Sequence, residues 1–528
     1  MLALITQASI ITCRCYCLHM DIQPTVVARY GVQMRQDIRF LLNGEPQRVS
    51  HVSAEMTLIA WLREYPNFRG TKQGCGEGDC GACTVALGRL DDSGQIAWRP
   101  VNACILFLPM VDGSAIRTVE GIAAANGNLH PVQKAIVNAD ASQCGFCTPG
   151  FVMTLYTAWQ NRQGLHQDDI NDTLAGNLCR CTGYQSIVNA ALTLSKPPSQ
   201  KSSTENSNAT DALALAELCA ADDFDNDFCL TTGNTSFYAP SEPAAFANFY
   251  AENPESVIVA GATDVGLWVT KHYQKLGQVL WTGRVSQFNR IDRDSDKLFI
   301  GPAITHQQFV DAISNDFPEL VELMRRFAAP QVRSSGTVCG NIANASPIGD
   351  LPPALIALGS KVELTRNAVV RQLDLEKFFI AYGSTDLADG EFVSGVFISI
   401  DPAPYLRCYK ISKRFDQDIS AVMLAANLDI VDGVITRPRL VFGGMAGTPK
   451  RATKAESLLL GSPPDIETFK KAAKVLPNDF KPLSDMRGSA VYRMTTAQNL
   501  LVKYGLELSE GKSVRLAGAG LTKVMECW

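Results

Sequence analysis

Eight cysteines in this chain are spaced like ligands. Cys75, Cys80 and Cys83 fall in GCGEGDCGACT, residues 74–84. That is three-quarters of the Cys-x4-Cys-x2-Cys…Cys pattern of a plant-type 2Fe–2S centre, and Cys104 is the natural fourth thiolate. A loop that wraps such a centre must take positive φ and bring its amides up to sulfur, which glycine does without a Cβ in the way. A second group combines Cys144 and Cys147 in QCGFCTPG with Cys179 and Cys181 in CRCTGY. The Cys-x-Cys pair, lying between two helical segments, reads as part of a turn between helices. Four sulfurs there could hold zinc or a cluster. Zinc suits the first loop poorly, because zinc loops join one Cys-x2-Cys to another such pair.

Two further stretches have the composition of a phosphate cradle. In PESVIVAGATDVGLWV an apolar run, Val257 to Ala260, breaks into the small-residue loop Gly261 to Gly266. Such a loop after a strand can present backbone amides to a phosphate. The second, FAAPQVRSSGTVCGNIANASPIGDLPPAL from Phe327 to Leu355, is dense in Gly, Ser, Asn and Ala and long for an idle loop. No GxGxxG motif lies in this part of the chain, so a Rossmann site is not indicated.

These stretches must be held by ordinary elements. IRFLLNGEPQRVS reads as a hairpin about Asn43-Gly44, and SAEMTLIAWLREY as a helix burying Leu58, Trp61 and Leu62. TVALGRL and IAWRPVNAC read as further strands, completing a β-grasp domain. The second cysteine group sits among helical segments: FVMTLYTAWQN, DDINDTLAGN with Asp168 or Asp169 as cap, and YQSIVNAALTL. SKPPSQKSSTENSNATDALA, residues 195–214, has no apolar period and reads as a mobile linker. Toward the C-terminus, LAANLDIVDGVITRPRLVFGGM predicts strands about an Asp432-Gly433 turn, and ATKAESLLLG a helix. Asp485, Arg487 and Arg493 read as salt-bridged structural residues, and nothing after about Glu510 carries a signal.

At 528 residues the chain is multidomain α+β. The division is an N-terminal extension (1–36), a ferredoxin-like domain (37–118), a helical cysteine domain (119–194), a linker (195–230), a nucleotide-cradle domain (231–401), an α+β domain (402–508) and a tail (509–528). A net charge of −5 with 19% charged residues excludes a nucleic-acid or anionic-membrane partner. Sixteen cysteines, half of them clustered, fit metal ligation in a reducing, cytoplasmic setting rather than a disulfide framework. With six histidines, a His-based zinc or haem site is a minor reading. The first 34 residues lack a basic n-region and a cleavage site, and read as an extension, with Met20 or Met34 as an alternative start. Cys13, Cys15 and Cys17 have no ligand spacing and no assigned function.

The array of GCGEGDCGACT, QCGFCTPG and CRCTGY over residues 37–194 resembles the paired 2Fe–2S domains of the molybdenum hydroxylase family. The two small-residue loops resemble the vanillyl-alcohol-oxidase (PCMH) type of FAD domain found in the same family, and the closing segment resembles its flavoprotein C-terminal domain. The resemblance implies two 2Fe–2S clusters and FAD. It places the FAD diphosphate along Val259, Ala260, Gly261, Ala262, Thr263, Asp264, Val265 and Gly266, and along Ser335, Gly336, Thr337, Val338, Cys339, Gly340 and Asn341. It puts Phe327 near the flavin and adenine pocket, Asp350 at a cofactor hydroxyl, Lys410 at the isoalloxazine, and Leu387, more loosely, in the same site. Cys339 stands where the family often has Gly and reads as a small apolar side chain. Gln143 is implied to hydrogen-bond a pterin. No residue of this chain is read as catalytic in itself.

The resemblance further implies the iron–sulfur/FAD subunit of a xanthine dehydrogenase. Electrons from a molybdopterin-bearing large subunit would pass through both clusters to FAD and then NAD+, during hypoxanthine and xanthine oxidation to urate, in a heterotetramer of two small and two large subunits. Another molybdenum hydroxylase, acting on an aldehyde or a different purine, is the alternative, as is a stand-alone NADH-linked flavoprotein.

Overall fold

The computed structural model describes residues 34–511 apart from 125, 162–164, 166–168, 195–202, 222 and 402. The expectations for residues 1–33 and 512–528, and for Asp168 as a cap, lie outside the described residues.

Strands β1 (Ile38–Leu42) and β2 (Glu45–Val49) form the expected hairpin. Asn43 and Gly44 both take positive φ, 54° and 90°, the two-residue turn that matches strand twist. Helix α1 (Leu58–Glu64) begins at Thr57, whose hydroxyl accepts the Ala60 amide. Strands β3 (Thr84–Leu90), β4 (Ile96–Asn102) and β5 (Ala115–Arg117) complete a sheet ordered β2-β1-β5-β3-β4, with β1 and β5 parallel. Both faces of this sheet are buried. Phe40, Leu42, Val85 and Ile116 pack with α1, whereas Leu41, Ala86, Ala115 and Trp98 pack against the helical domain. That is why β1 reads as one apolar run.

The helical domain contains α2 (Thr148–Gln160) and shorter helices over Pro131–Asn138, Ile170–Leu174 and Gln185–Leu192. Asp169 occupies the cap position before Ile170 but makes no cap bond; its carboxylate pairs with Arg325 at 3.3 Å, beside an Asp172–Arg325 pair at 2.6 Å. An arginine from another domain outcompetes the local amides.

The linker expectation is corrected by helix α3 (Ser203–Cys219). Its polar first half hides the period, while its second half buries Asp211 and Leu215. Asp211 forms an ion pair with Arg117 at the end of β5. Tertiary contact supplies what propensity lacks.

The FAD-type domain carries a four-stranded sheet of Phe228–Thr232, Thr235–Ala239, Gln278–Trp281 and Val257–Val259. Its second sheet is five-stranded, with Phe392–Ser399 at the centre. The C-terminal domain is a four-stranded antiparallel sheet, turning at Asp432-Gly433, backed by helices Ile466–Val475 and Ala490–Glu510. Arg493 pairs with Asp485 at 2.7 Å and donates to the Gly444 carbonyl, a structural role.

The domains share cores. Phe228, Phe237, Val259 and Trp281 join the ferredoxin residues Phe40, Trp61 and Ile105 in one cluster. Strand Val422–Val431 sends Met423 and Ala425 into the FAD-domain core, and Val422, Leu424 and Ala426 into the core beneath the C-terminal helices. Asp112, fully buried, joins the modules by holding Arg35 and, at 2.7 Å, Arg284 of the FAD domain. Among the described residues, no helix is long and apolar enough to cross a membrane.

Candidate functional site

The first cysteine loop lies between α1 and β3, with Gly76, Gly78 and Gly81 at φ of 69°, 78° and 66°. These left-handed turns aim the amides inward. Glu77, Asp79 and Cys80 donate to Cys75 Sγ at 3.4, 3.4 and 3.3 Å, and the Cys75 amide donates to Cys80 Sγ at 3.4 Å. Cys104, in the turn after β4, brings its sulfur into hydrogen-bonding contact with Cys75 and Cys83. Contact with the Cys104 and Cys80 thiols pulls the Cys75 thiol far below its ordinary range, and the same contacts raise Cys104. A Cβ on Gly74 would lie 2.8 Å from Cys80 Sγ, and one on Gly78 2.6 Å from Ile105 Cδ1. The cradle has room for sulfur and little else.

The second quartet assembles where α2 meets the turn before Gln185–Leu192. Cys181 and Cys144 sulfurs are 3.4 Å apart, and Thr182 Oγ1 is 3.2 Å from Cys179 Sγ. Burial, then Cys179, pushes the Cys147 thiol up to about 12. Burial opposes ionisation of Cys179, but hydrogen bonds led by Thr182 bring it down to about 7. Cys179 is buried, whereas Cys144 and Cys181 are exposed, as are Gln143 and Phe146. Among the described residues no three His, Cys, Asp or Glu side chains converge on a single-ion site. In the second quartet Cys144 contacts Cys181 and Cys147 contacts Cys179, whereas in the first Cys75 and Cys104 each contact two other cysteines.

The two cysteine loops touch. The Leu178 amide donates to the Cys80 carbonyl at 3.0 Å, and Asn177 Nδ2 to the Gly81 carbonyl at 3.1 Å. On the other side, the short helix Val265–Thr270 lies against the first loop. A Cβ on Gly266 would stand 2.7 Å from the Ile105 carbonyl, next to Cys104, and Lys271 Nζ reaches the Cys75 carbonyl at 2.7 Å and Glu77 at 3.2 Å.

Lys271 is the cation nearest that loop's backbone. Its loss should make the adjoining centre harder to reduce, because a positive charge favours the added electron. A half-exposed charge at this range is worth about 1 kcal/mol, or ~40 mV for a one-electron couple. The K271Q variant should therefore shift one midpoint potential downward in an electron paramagnetic resonance (EPR) monitored titration, with K271R near wild type. An unchanged potential in K271Q would remove Lys271 from this role.

A cleft of about 400 Å³ opens beyond this contact. Ala260 to Val265, Phe327, Thr337, Cys339, Gly340, Asn341 and Leu387 line it. Gly261 packs so closely on Ser335 that a Cβ would overlap its carbonyl, so the two loops meet there. Val259 and Val338 sit in the cores behind, and the Gly336 carbonyl accepts the His306 amide. Cys339 is buried, and burial raises its thiol, consistent with a small apolar role.

The lining residues that sequence did not anticipate include Thr282, His306 and Glu391. Thr305 and Gln308 form a capping box, a local signal that places His306 in the first turn of its helix. Burial, and then Arg333, lowers its imidazole to about 3, so it is neutral at ordinary pH. Thr282 Oγ1, His306 Nδ1 and Asn341 Oδ1 are buried here without a partner, as in a site built for a polar ligand. Among the described residues no Lys or Arg lines the cleft. A diphosphate there would be held by amides, hydroxyls and amide side chains.

Asp350 and Lys410 do not line this cleft; they face each other. Lys410 Nζ lies 2.6 Å from Asp350 and also donates to the Asp418 carbonyl at 2.7 Å and Ser420 Oγ at 2.8 Å. Ser420 Oγ donates to Asp350 at 2.5 Å.

Comparison with known proteins gives four family matches along the chain. A 2Fe-2S iron-sulfur cluster binding domain matches residues 40–108, and a [2Fe-2S] binding domain residues 118–192. The FAD binding domain in molybdopterin dehydrogenase matches residues 231–399, and the CO dehydrogenase flavoprotein C-terminal domain residues 407–508. Xanthine dehydrogenase of Drosophila subobscura is 28% identical over 91% of this chain, and that of Emericella nidulans 29% over 88%. The chain spans about 40% of the length of these relatives. Quinoline 2-oxidoreductase from Pseudomonas putida 86 superposes with a TM-score of 0.48 at 24% identity, covering 52% of this chain and 96% of that one. With its domain matches in this order, and relatives aligned across nearly all of it, the chain carries two 2Fe-2S domains, an FAD-binding domain and a flavoprotein C-terminal domain, and corresponds to the iron–sulfur and FAD-binding part of these xanthine dehydrogenase relatives.

Proposed function

We propose that this chain relays electrons from a molybdenum site on a partner subunit, through two 2Fe–2S clusters, to FAD and then to NAD+. The parent reaction is oxidation of hypoxanthine and xanthine to urate. The observation that carries the relay is continuity: the Leu178–Cys80 bond joins the two cysteine loops, and the Gly266–Ile105 and Lys271–Cys75 contacts join the first loop to the flavin cleft. When bound, the clusters pass single electrons and FAD exchanges them for a two-electron hydride.

The residues divide the remaining work. Cys75, Cys80, Cys83 and Cys104 would hold the cluster nearer the flavin, and the Glu77, Asp79 and Cys80 amides stabilise negative charge on its sulfur. Cys144, Cys147, Cys179 and Cys181 would hold the outer cluster. Two of these cysteines, with Gln143 and Phe146, face solvent, the side from which a molybdopterin-bearing partner would deliver electrons. Thr282, His306 and Asn341 offer hydrogen bonds to the cofactor in the cleft, and neutral His306 adds no charge that would compete for it. Asp350 and Lys410, paired with each other, lie outside the lining of that cleft. The substrate rests on the names of the relatives, the acceptor on the sequence resemblance, and the cytoplasmic setting on the cysteine usage.

Native mass analysis of the purified complex, read with molybdenum content, tests the assembly; a chain that purifies alone with NADH-dye activity would point to a stand-alone flavoprotein. Xanthine-driven NADH formation should exceed peroxide formation, and a dominant peroxide yield would reject NAD+ as acceptor. The Cys147→Ser variant should lose one EPR cluster signal and keep its flavin. Survival of both signals would reject the ligand set.

A further inference from the structure

Gln331 lies in the FAD-type domain, four residues before the loop at Ser335, and its side chain is fully buried. Its amide nitrogen is within hydrogen-bond distance of three groups: Thr84 Oγ1 at 3.2 Å in the ferredoxin domain, and Thr154 Oγ1 and Asn177 Oδ1, both at 3.1 Å, in the helical domain. Each of these leads to a cysteine loop. The Thr84 hydroxyl donates to the Gly81 carbonyl at 2.7 Å, between Cys80 and Cys83. Asn177 donates to that same carbonyl at 3.1 Å, and its chain continues through Leu178 to Cys179. Thr154 donates to Asn177 at 2.7 Å, which closes the network. One carbonyl oxygen of the first loop thus collects two side-chain donors beside the Thr84 amide, and one amide of the flavin domain ties both side chains together.

The surroundings pack closely on this side chain. A Cβ on Gly176 would overlap Gln331 Oε1, and one on Gly150 would meet the Gly81 carbonyl. Gln331 Oε1 itself has no partner, an unsatisfied buried acceptor retained where three domains meet. Both threonine hydroxyls spend their protons elsewhere in the network, so they can only accept from Gln331. A donor is required at this place, and an apolar or acidic side chain cannot replace it.

We propose that Gln331 is a positioning residue that fixes the separation of the two cysteine centres from each other and from the flavin loop. The proposal rests on the electron-relay reading above. Three docked domains could slide slightly on their apolar contacts; a buried, directional network with one geometry removes that freedom.

The test uses the full chain with its clusters and flavin loaded. In the dithionite-reduced protein, both clusters are paramagnetic, and at low temperature their interaction should split the EPR lines. The Q331M variant, equal in length but without the donor, should retain both signals, full iron and full flavin, yet lose the resolved splitting. Thr84→Val removes one acceptor and should give a smaller change in the same direction. Asn177→Leu combined with Q331M should add little to Q331M alone, because both act through one network. Unchanged splitting in an iron-replete Q331M protein overturns the proposal. If Q331M does not fold, unchanged splitting in Thr84→Val overturns it instead. A wild-type protein without any splitting overturns the proposal and the two-cluster reading together, so the two failures are distinguishable.

Discussion

The Gly261→Ala variant is expected to purify without its flavin while keeping its iron. At this position the small-residue loop after strand Val257–Val259 meets the second loop at Ser335, and an added Cβ has nowhere to go but into that backbone carbonyl. Backbone cannot rotate aside as a side chain can, so the loops must part and the cleft between them must change shape. Overpacking of this kind costs about 1–3 kcal/mol, which corresponds to an affinity loss of roughly 5- to 150-fold. Flavin absorbance per chain, read beside iron content, measures it. Gly336→Ala is the internal comparison. Its Cβ would stand 3.0 Å from Thr263 Oγ1 and 3.3 Å from both His306 Cδ2 and the Val332 carbonyl, far looser than the 1.9 Å approach to the Ser335 carbonyl at Gly261. The Gly336→Ala protein should lose much less flavin. Equal retention in the two variants would show that loop contact does not shape the cleft.

The second large effect concerns stability. Lys410→Met leaves Asp350 buried with one hydroxyl for company, its cation gone. Removing one partner of a buried ion pair costs about 3–5 kcal/mol, much more than the pair itself contributes. The transition of the flavin and C-terminal domains in denaturant should move to lower concentration by that amount. Asp350→Asn should restore part of the loss when added to Lys410→Met, since no buried charge then remains. If Lys410→Met unfolds at the wild-type midpoint, the pair is solvated and its burial means little.

What could be read in advance followed the range of the interactions. Cysteine spacing within 74–84 and 144–147 is local, so the ligand loops were legible, as were the turns at Asn43-Gly44 and Asp432-Gly433. The β-grasp reading followed from a hairpin, a helix and strands each local to one segment, whereas strand Ala115–Arg117 and its place between β1 and β3 were not read. Contacts between distant segments were not legible. Asp169 looks like a cap until Arg325 arrives from another domain, and residues 203–219 look like a tether until Arg117 and the sheet beneath Leu215 are in place. His306, Thr282 and Gln331 reach their sites from three separate stretches, and only His306 carried a local mark, the capping box that starts its helix. Leu41 and Phe40 are both apolar; only the fold shows that they serve different cores.

Helix α3 also bears on how tightly the modules are coupled. Through Arg117–Asp211 and Leu215 the segment leading into the flavin domain is already seated on the ferredoxin sheet, and only eight residues separate its first turn from Leu194 at the end of the helical domain. The effective concentration of one module around the other is therefore set by a very short connection rather than by the whole 36-residue stretch between Ser195 and Leu230. Were the apolar contacts between the domains to open, they would be remade by an intramolecular search over a small volume. In the proposed relay, the step between the two cysteine loops and on to the flavin cleft would belong to a bonded assembly rather than to an encounter.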